Sequence, residues 1–175
     1  MIVNVLTVDV EEYYHAAIFR RGTSASPSGR FESRVERSME RLLELLRSHQ
    51  TRATFFVLGE VAAAHPDLMR ALVTEHHEVA CHGDRHEDVC RQSPSEFRAD
   101  IRRAKAQIED VVGQPVIGYR APNFSITDWA IDILRETGFR YDSSLFPSMA
   151  HDRYGKLKKF KVEDKRWFEL ASGFH

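Results

Sequence analysis

The sequence predicts an α/β domain built on a parallel sheet, and three observations predict it. Short apolar, β-branched runs alternate with helical stretches in the order β-α-β-α-β-α-β-α-β between residues 2 and 142. The connections are short, so consecutive strands run parallel with a helix crossing over each time. Clusters of acids, histidines and an arginine stand directly after the apolar runs, at the strand ends where parallel sheets carry their chemistry. The pattern fits an open or a closed sheet.

Ile2 to Val8 reads as a first strand buried on both faces, running straight into Asp9, Glu11 and Glu12. Tyr13-Tyr14-His15 follow, with His15 expected on an exposed loop, and then a Gly/Ser/Pro-rich loop from Gly22 to Gly29. From about Phe31 to His49, Val35, Met39, Leu42, Leu43 and Leu46 recur at helical spacing and predict an amphipathic helix. Ala53 to Leu58 is a second buried strand closed by Gly59, and Pro66 opens a short helix carrying Leu68, Met69, Leu72 and Val73. Val79-Ala80-Cys81 leads into His82-Gly83-Asp84-Arg85-His86, where a helical start to the loop would bring both imidazoles to one side.

Ser93-Pro94-Ser95-Glu96 is a helix start with cap, N1 proline and N3 glutamate, and the helix stops near Gly113. Pro115 to Tyr119 is a fourth strand running into Arg120-Ala121-Pro122-Asn123-Phe124. A helix from about Asp128 to Glu136 precedes a fifth strand, Phe139 to Asp142, after which Asp142 and Ser143 suit a turn. Beyond Ser143 the pattern weakens, with a basic stretch from Lys156 to Lys165 and one more strand expected at Arg166 to Leu170.

The 175 residues fit one domain with a sizeable core. A net charge of −1 gives no electrostatic basis for binding nucleic acid or an anionic membrane. Cys81 and Cys90 form no CxxC pair and read as reduced thiols, Cys81 pointing into the core without reactivity. The N-terminus lacks a leader-like stretch, and no apolar run approaches the roughly 20 residues of a membrane span, so a cytoplasmic protein is expected.

Two imidazoles and one carboxylate with open positions for water form a divalent-metal set suited to hydrolysis. A second, non-ligating carboxylate serves as general base, and Asp9 and Glu11 are spaced for that division. Arg120 would orient one carboxylate and hold it ionised. The Pro122-Asn123 turn offers backbone donors to a tetrahedral oxyanion, the Asn123 amide foremost. His49, His65, His76, His77 and His151 read as helix-end or loop residues, and Trp129 and Trp167 as core.

Thr7-Val8-Asp9-Val10-Glu11, His82-x-x-x-His86 and Arg120-Ala121-Pro122-Asn123-Phe124 together resemble the polysaccharide deacetylases, the NodB-homology or carbohydrate esterase family four proteins. The longer stretches Leu6 to His15 and Gly118 to Ile126 are similar to a bacterial branch found with exopolysaccharide-synthesis and exosortase loci. The resemblance implies a distorted, incomplete (β/α) barrel, a single deacetylase domain over residues 1–175 lacking its C-terminal strands. It implies a metal-dependent hydrolase that removes N-acetyl groups from a polysaccharide or glycan precursor. The implied cofactor is a divalent metal, zinc foremost, with cobalt or nickel as alternatives. By position, Asp9 becomes the base, Arg120 its tether, and His82 and His86 metal ligands.

The family's usual second aspartate is Val10 here, which cannot coordinate, so Glu11 is the expected third ligand, with Glu12 and Asp84 as rivals. The family's general-acid histidine has no convincing counterpart; His175 follows Gly173-Phe174 instead of a Leu-x-His-like motif. Two competing functions follow: a ring-opening amidohydrolase on a cyclic amide, and a catalytically impaired glycan-binding module.

Overall fold

The computed structural model describes residues 4–16, 31–145 and 157. The Gly22–Gly29 loop, the strand expected at Arg166–Leu170, His151, Trp167 and His175 lie outside the described residues.

Five parallel strands lie in sequential order: β1 (Thr7–Val10), β2 (Thr54–Val57), β3 (Glu78–Cys81), β4 (Gly118–Tyr119) and β5 (Tyr141–Asp142). Among the described residues five α-helices accompany them: α1 (Val35–Ser48), α2 (Gly59–Ala64), α3 (Pro66–Thr74), α4 (Pro94–Val112) and α5 (Asp128–Glu136). An unbroken order with no reversal is the progression of a barrel, not of a doubly wound sheet. Among the described residues β1 and β5 are not paired with each other, so the barrel is incomplete.

Alternation along the strands assigns each face. Val10, Phe55, Val57, Val79, Cys81 and Tyr119 point outward into one hydrophobic core with Met39, Leu43, Phe97, Ile101, Ile108 and Leu134 of the helices. The inner face carries Thr7, Asp9, Thr54 and Glu78 beside Phe56 and Ala80. Glu78 accepts from Thr54 Oγ1 at 2.7 Å and from the Tyr141 hydroxyl at 2.8 Å, linking β2, β3 and β5. Gly118 is required here, because a Cβ at this position would collide with the Tyr141 ring.

Several expected boundaries move. The first strand is Thr7–Val10, so Asp9 lies inside it, and Val5 and Leu6 before it are exposed instead of buried. As the described sheet's first strand, β1 has a neighbour on one side only, which leaves its approach open to solvent. The first helix begins at Val35 and not near Phe31, because its terminal N–H groups are met by a carboxylate from outside. Glu12 accepts from the N–H groups of Arg34 at 3.0 Å and Val35 at 3.4 Å, and from the Ser33 hydroxyl. Gly59 opens α2 where the sequence suggested only a stop. The fourth and fifth strands shorten to two residues each.

The long helix α4 forms as the sequence predicts. The Ser93 hydroxyl accepts from Glu96 N–H while the Ser93 N–H donates to the Glu96 carboxylate at 2.8 Å, and Gly113 closes the helix at φ 68°. Such a capping box contributes about 1 kcal/mol. Trp129 packs edge-on against Phe97 in the core, as expected.

Candidate metal centre

Two loops carry the histidines and acids. The loop after β3 is not helical: Gly83 and His86 both take left-handed backbone, at φ 85° and 58°. It is held in that shape from both sides. The N–H groups of Gly59 and Glu60 at the start of α2 donate to the carbonyls of Gly83 and Asp84 at 2.9 and 3.2 Å. Asp84 is buried; its carboxylate accepts from Arg103 Nε at 2.7 Å, and its N–H donates to Asp100 at 3.1 Å. Fixed this way, the His82 and His86 rings face each other at 64° with centroids 5.4 Å apart.

Glu11, just past β1, meets them. One ligand atom from each of Glu11, His82 and His86 lies within 4.8 Å of the others. Glu11 Oε2 sits 2.8 Å from His86 Nε2, yet this buried oxygen makes no hydrogen bond. His82 Nδ1–H donates to the Arg120 carbonyl at 2.8 Å, which leaves the Nε2 lone pair available as a ligand. Burial pushes His82 down to about 4, so the ring is neutral at physiological pH. Burial acts to raise the Glu11 carboxyl, but the nearby His86, His82 and His15 rings outweigh it and hold it below its ordinary value. A carboxylate oxygen buried against two imidazole rings is an environment that a cation between them would relieve. The donor set, two nitrogens and one carboxylate, fits a divalent ion of the zinc kind.

Asp9 stands beside this cluster and outside it. Arg120 Nη1 donates to Asp9 Oδ1 at 2.8 Å. Its Nη2 donates to Thr7 Oγ1 at 3.0 Å and Ser143 Oγ at 2.8 Å, and its Nε to the Ser143 carbonyl at 3.1 Å. The guanidinium lies 4.1 Å from the centroid of Phe56. Asp142 braces the same loop: it accepts from Ser144 N–H and Oγ, and Ser144 Oγ accepts from Ala121 N–H at 2.7 Å. Burial lifts Asp142 to about 6. A cavity of about 430 Å³ opens along β1, lined among others by Asp9, Glu11, Tyr13, Arg34 and Met39.

The structure thus brings Asp9, Glu11, His82, His86 and Arg120 together. Glu12 and Asp84, the rival ligands, are both committed elsewhere: Glu12 caps α1 and Asp84 anchors its own loop to Arg103. Asn123 is exposed at φ 51°, and its side-chain amide donates to Asp88 at 2.7 Å. His15, expected on an exposed loop, is buried, because its two ring nitrogens meet Glu12 N–H and the Glu60 carboxylate. His77 is also buried, and its Nδ1 accepts from Ala53 N–H at 3.2 Å. Cys81 is buried and pushed up to about 12, an inert thiol.

A family model described as polysaccharide deacetylase matches residues 28–141, well over half of the chain. The chain belongs to the polysaccharide deacetylase family. The match contains His82, His86, Arg120 and Asn123 but begins after Asp9 and Glu11, which the three-dimensional arrangement joins to them. A Bradyrhizobium chitooligosaccharide deacetylase is 34% identical over 93 residues, 53% of this chain and 42% of that protein. A Helicobacter pylori peptidoglycan deacetylase is 26% identical over 141 residues, 77% of this chain and 48% of its own length. Among solved structures, a Mycobacterium smegmatis protein assigned to the polysaccharide deacetylases superposes with a TM-score of 0.68 at 30% identity, covering 81% of this chain and 50% of that one. The chain spans less than half the length of these two curated relatives. Among the described residues no helix is long and apolar enough to cross a membrane.

Proposed function

We propose that the chain is a divalent-metal-dependent hydrolase that removes N-acetyl groups from a polysaccharide or glycan precursor. One observation carries this reading: an arginine-tethered carboxylate, Asp9, stands directly beside a Glu11/His82/His86 donor set. Glu11, His82 and His86 would hold the ion, zinc foremost, with cobalt or nickel as alternatives. When bound, such an ion acidifies water and polarises an amide carbonyl.

The chain's own residues perform the rest. Arg120 occupies Asp9 Oδ1, which orients the carboxylate so that its other oxygen takes a proton from the attacking water. The Asn123 backbone amide is our candidate donor to the oxyanion that forms at the carbonyl. The C–N bond then breaks, acetate departs, and the proton gathered by Asp9 is available to the leaving amine. The naming of relatives as chitooligosaccharide and peptidoglycan deacetylases supports an N-acetylated sugar as substrate. The Leu6 to His15 stretch suggests exopolysaccharide assembly as the setting.

Elemental analysis of the purified protein, alongside acetate release from N-acetylglucosamine oligomers, tests this. Wild type should carry one zinc, cobalt or nickel per chain and release acetate, and His82→Ala should lose both. Equal metal in wild type and His82→Ala refutes the site. Ring opening of cyclic ureides without acetate release refutes the substrate.

A further inference from the structure

The proposed chemistry leaves one buried imidazole beside the site unused. His15 is only 3% exposed, and its ring lies nearly parallel to that of His86, at 12° with centroids 6.1 Å apart. His15 Nδ1 accepts from Glu12 N–H at 3.0 Å, so its proton resides on Nε2, and Nε2 lies 2.9 Å from Glu60 Oε1. Tyr14 packs edge-on against the same ring at 5.0 Å.

Glu60 makes a second connection. It stands in the first turn of α2, where its backbone N–H donates to the Asp84 carbonyl, midway between His82 and His86. One residue therefore grips both ligand-bearing loops: by its side chain the turn that follows Glu11, and by its backbone the loop that carries the two histidines. Glu11 and His86 come from separate strands, so a link between their loops bears directly on how far apart they stand.

We infer that His15 and Glu60 form a strut that sets the Glu11–His86 separation, which makes His15 a positioning residue for the metal centre. This rests on the reading of Glu11, His82 and His86 as metal-holding residues. The link is a hydrogen bond from a neutral imidazole to a carboxylate, since the Nδ1 lone pair is already taken by a backbone N–H. A glutamine at position 60 offers an amide oxygen to the same Nε2–H and preserves the strut; an alanine removes it.

The test is cobalt(II) titration of the metal-free protein, with affinity read by chelator competition and ligand geometry by the visible cobalt spectrum. Glu60→Ala and His15→Ala should weaken cobalt binding by about tenfold or more, in the range found for groups that orient metal ligands, and should shift the spectrum. Glu60→Gln should bind within about threefold of wild type with an unchanged spectrum. Glu60 is partly exposed, so its variants remain informative should His15→Ala fail to fold. Wild-type affinity and spectrum in Glu60→Ala, or equal weakening in Glu60→Gln and Glu60→Ala, overturns the strut alone. Absence of cobalt binding in wild type, or undiminished binding in His82→Ala, overturns the metal centre and the strut with it.

Discussion

Replacing Arg120 with lysine keeps the positive charge and removes the fork. The guanidinium of Arg120 donates to Asp9, Thr7, the Ser143 hydroxyl and the Ser143 carbonyl while lying on the Phe56 ring. A lysine ammonium, a single nitrogen on a shorter reach, retains Asp9 and at best one neighbour. Two charge-assisted hydrogen bonds are lost, at about 1.5 kcal/mol each. For a chain of this size each kcal/mol corresponds to about 2–4 °C, so the melting temperature should fall by roughly 6–12 °C. Asp9, held at one point instead of by a planar fork, loses its aim at the water, and kcat for acetate release should fall about 10- to 100-fold. Metal content should not change, because the contact from Arg120 to His82 is through the backbone carbonyl and survives the substitution. A variant melting within about 2 °C of wild type and turning over at the wild-type rate would refute the tether. Loss of metal together with rate would show that the side chain supports the ligands instead of the base.

Glu11 and Glu12 are adjacent in sequence and opposite in role. Glu12→Ala removes the acceptor for the first N–H groups of α1 and should lower the urea midpoint by an amount equivalent to about 1–2 kcal/mol, with one metal per chain retained. Glu11→Ala should abolish metal retention; the reverse pattern would make Glu12 the ligand. A third prediction concerns acid. Burial raises Asp142 from 3.8 to about 6, so in this window the folded chain binds a proton that the unfolded chain does not. Its contribution therefore grows as pH falls, by about 1.4 kcal/mol between about pH 7.5 and about pH 5. Asp142→Asn removes that gain. Urea midpoints of metal-free protein at the two pH values should shift less favourably toward acid in the variant by this amount, and an unchanged pH response refutes the assignment.

What the sequence made legible was whatever depends on neighbours a few residues away. The Ser93–Glu96 box and Gly113 define both ends of α4 because caps are local. Val35, Met39, Leu43 and Leu46 marked the buried stripe of α1, since periodicity reports which face is covered. Periodicity does not report partners. Glu12 looked like a rival ligand because the helix it caps begins 23 residues later. His15 looked exposed because its burial depends on Glu60, which lies on a helix hidden behind a glycine that reads as a strand stop. Asp9 looked like a residue at a strand end, because a polar side chain on the inner face of a partly open sheet breaks the apolar run early. The ligand pair was legible for the opposite reason: two histidines four apart need no distant residue to be noticed, although the loop that joins them is bent by Gly83 and not wound as a helix.

The contact between Asp9 and Arg120 also explains why an arc of five strands suffices to assemble this site. Asp9 lies on β1 and Arg120 just past β4, three strand spacings away, which in a flat sheet is about 14 Å. An arginine side chain cannot cross that gap. Nη1 nevertheless stands 2.8 Å from Oδ1, so the sheet must curl toward its inner face, bringing strands one and four around Phe56 of β2. The same curl lets the Tyr141 hydroxyl on β5 reach Glu78 on β3 over Gly118, the intervening residue without a side chain. The meeting of Asp9, Arg120, Glu11, His82 and His86 thus depends on curvature already present in the described strands, and Gly118 is where that curvature would fail first if a side chain were introduced.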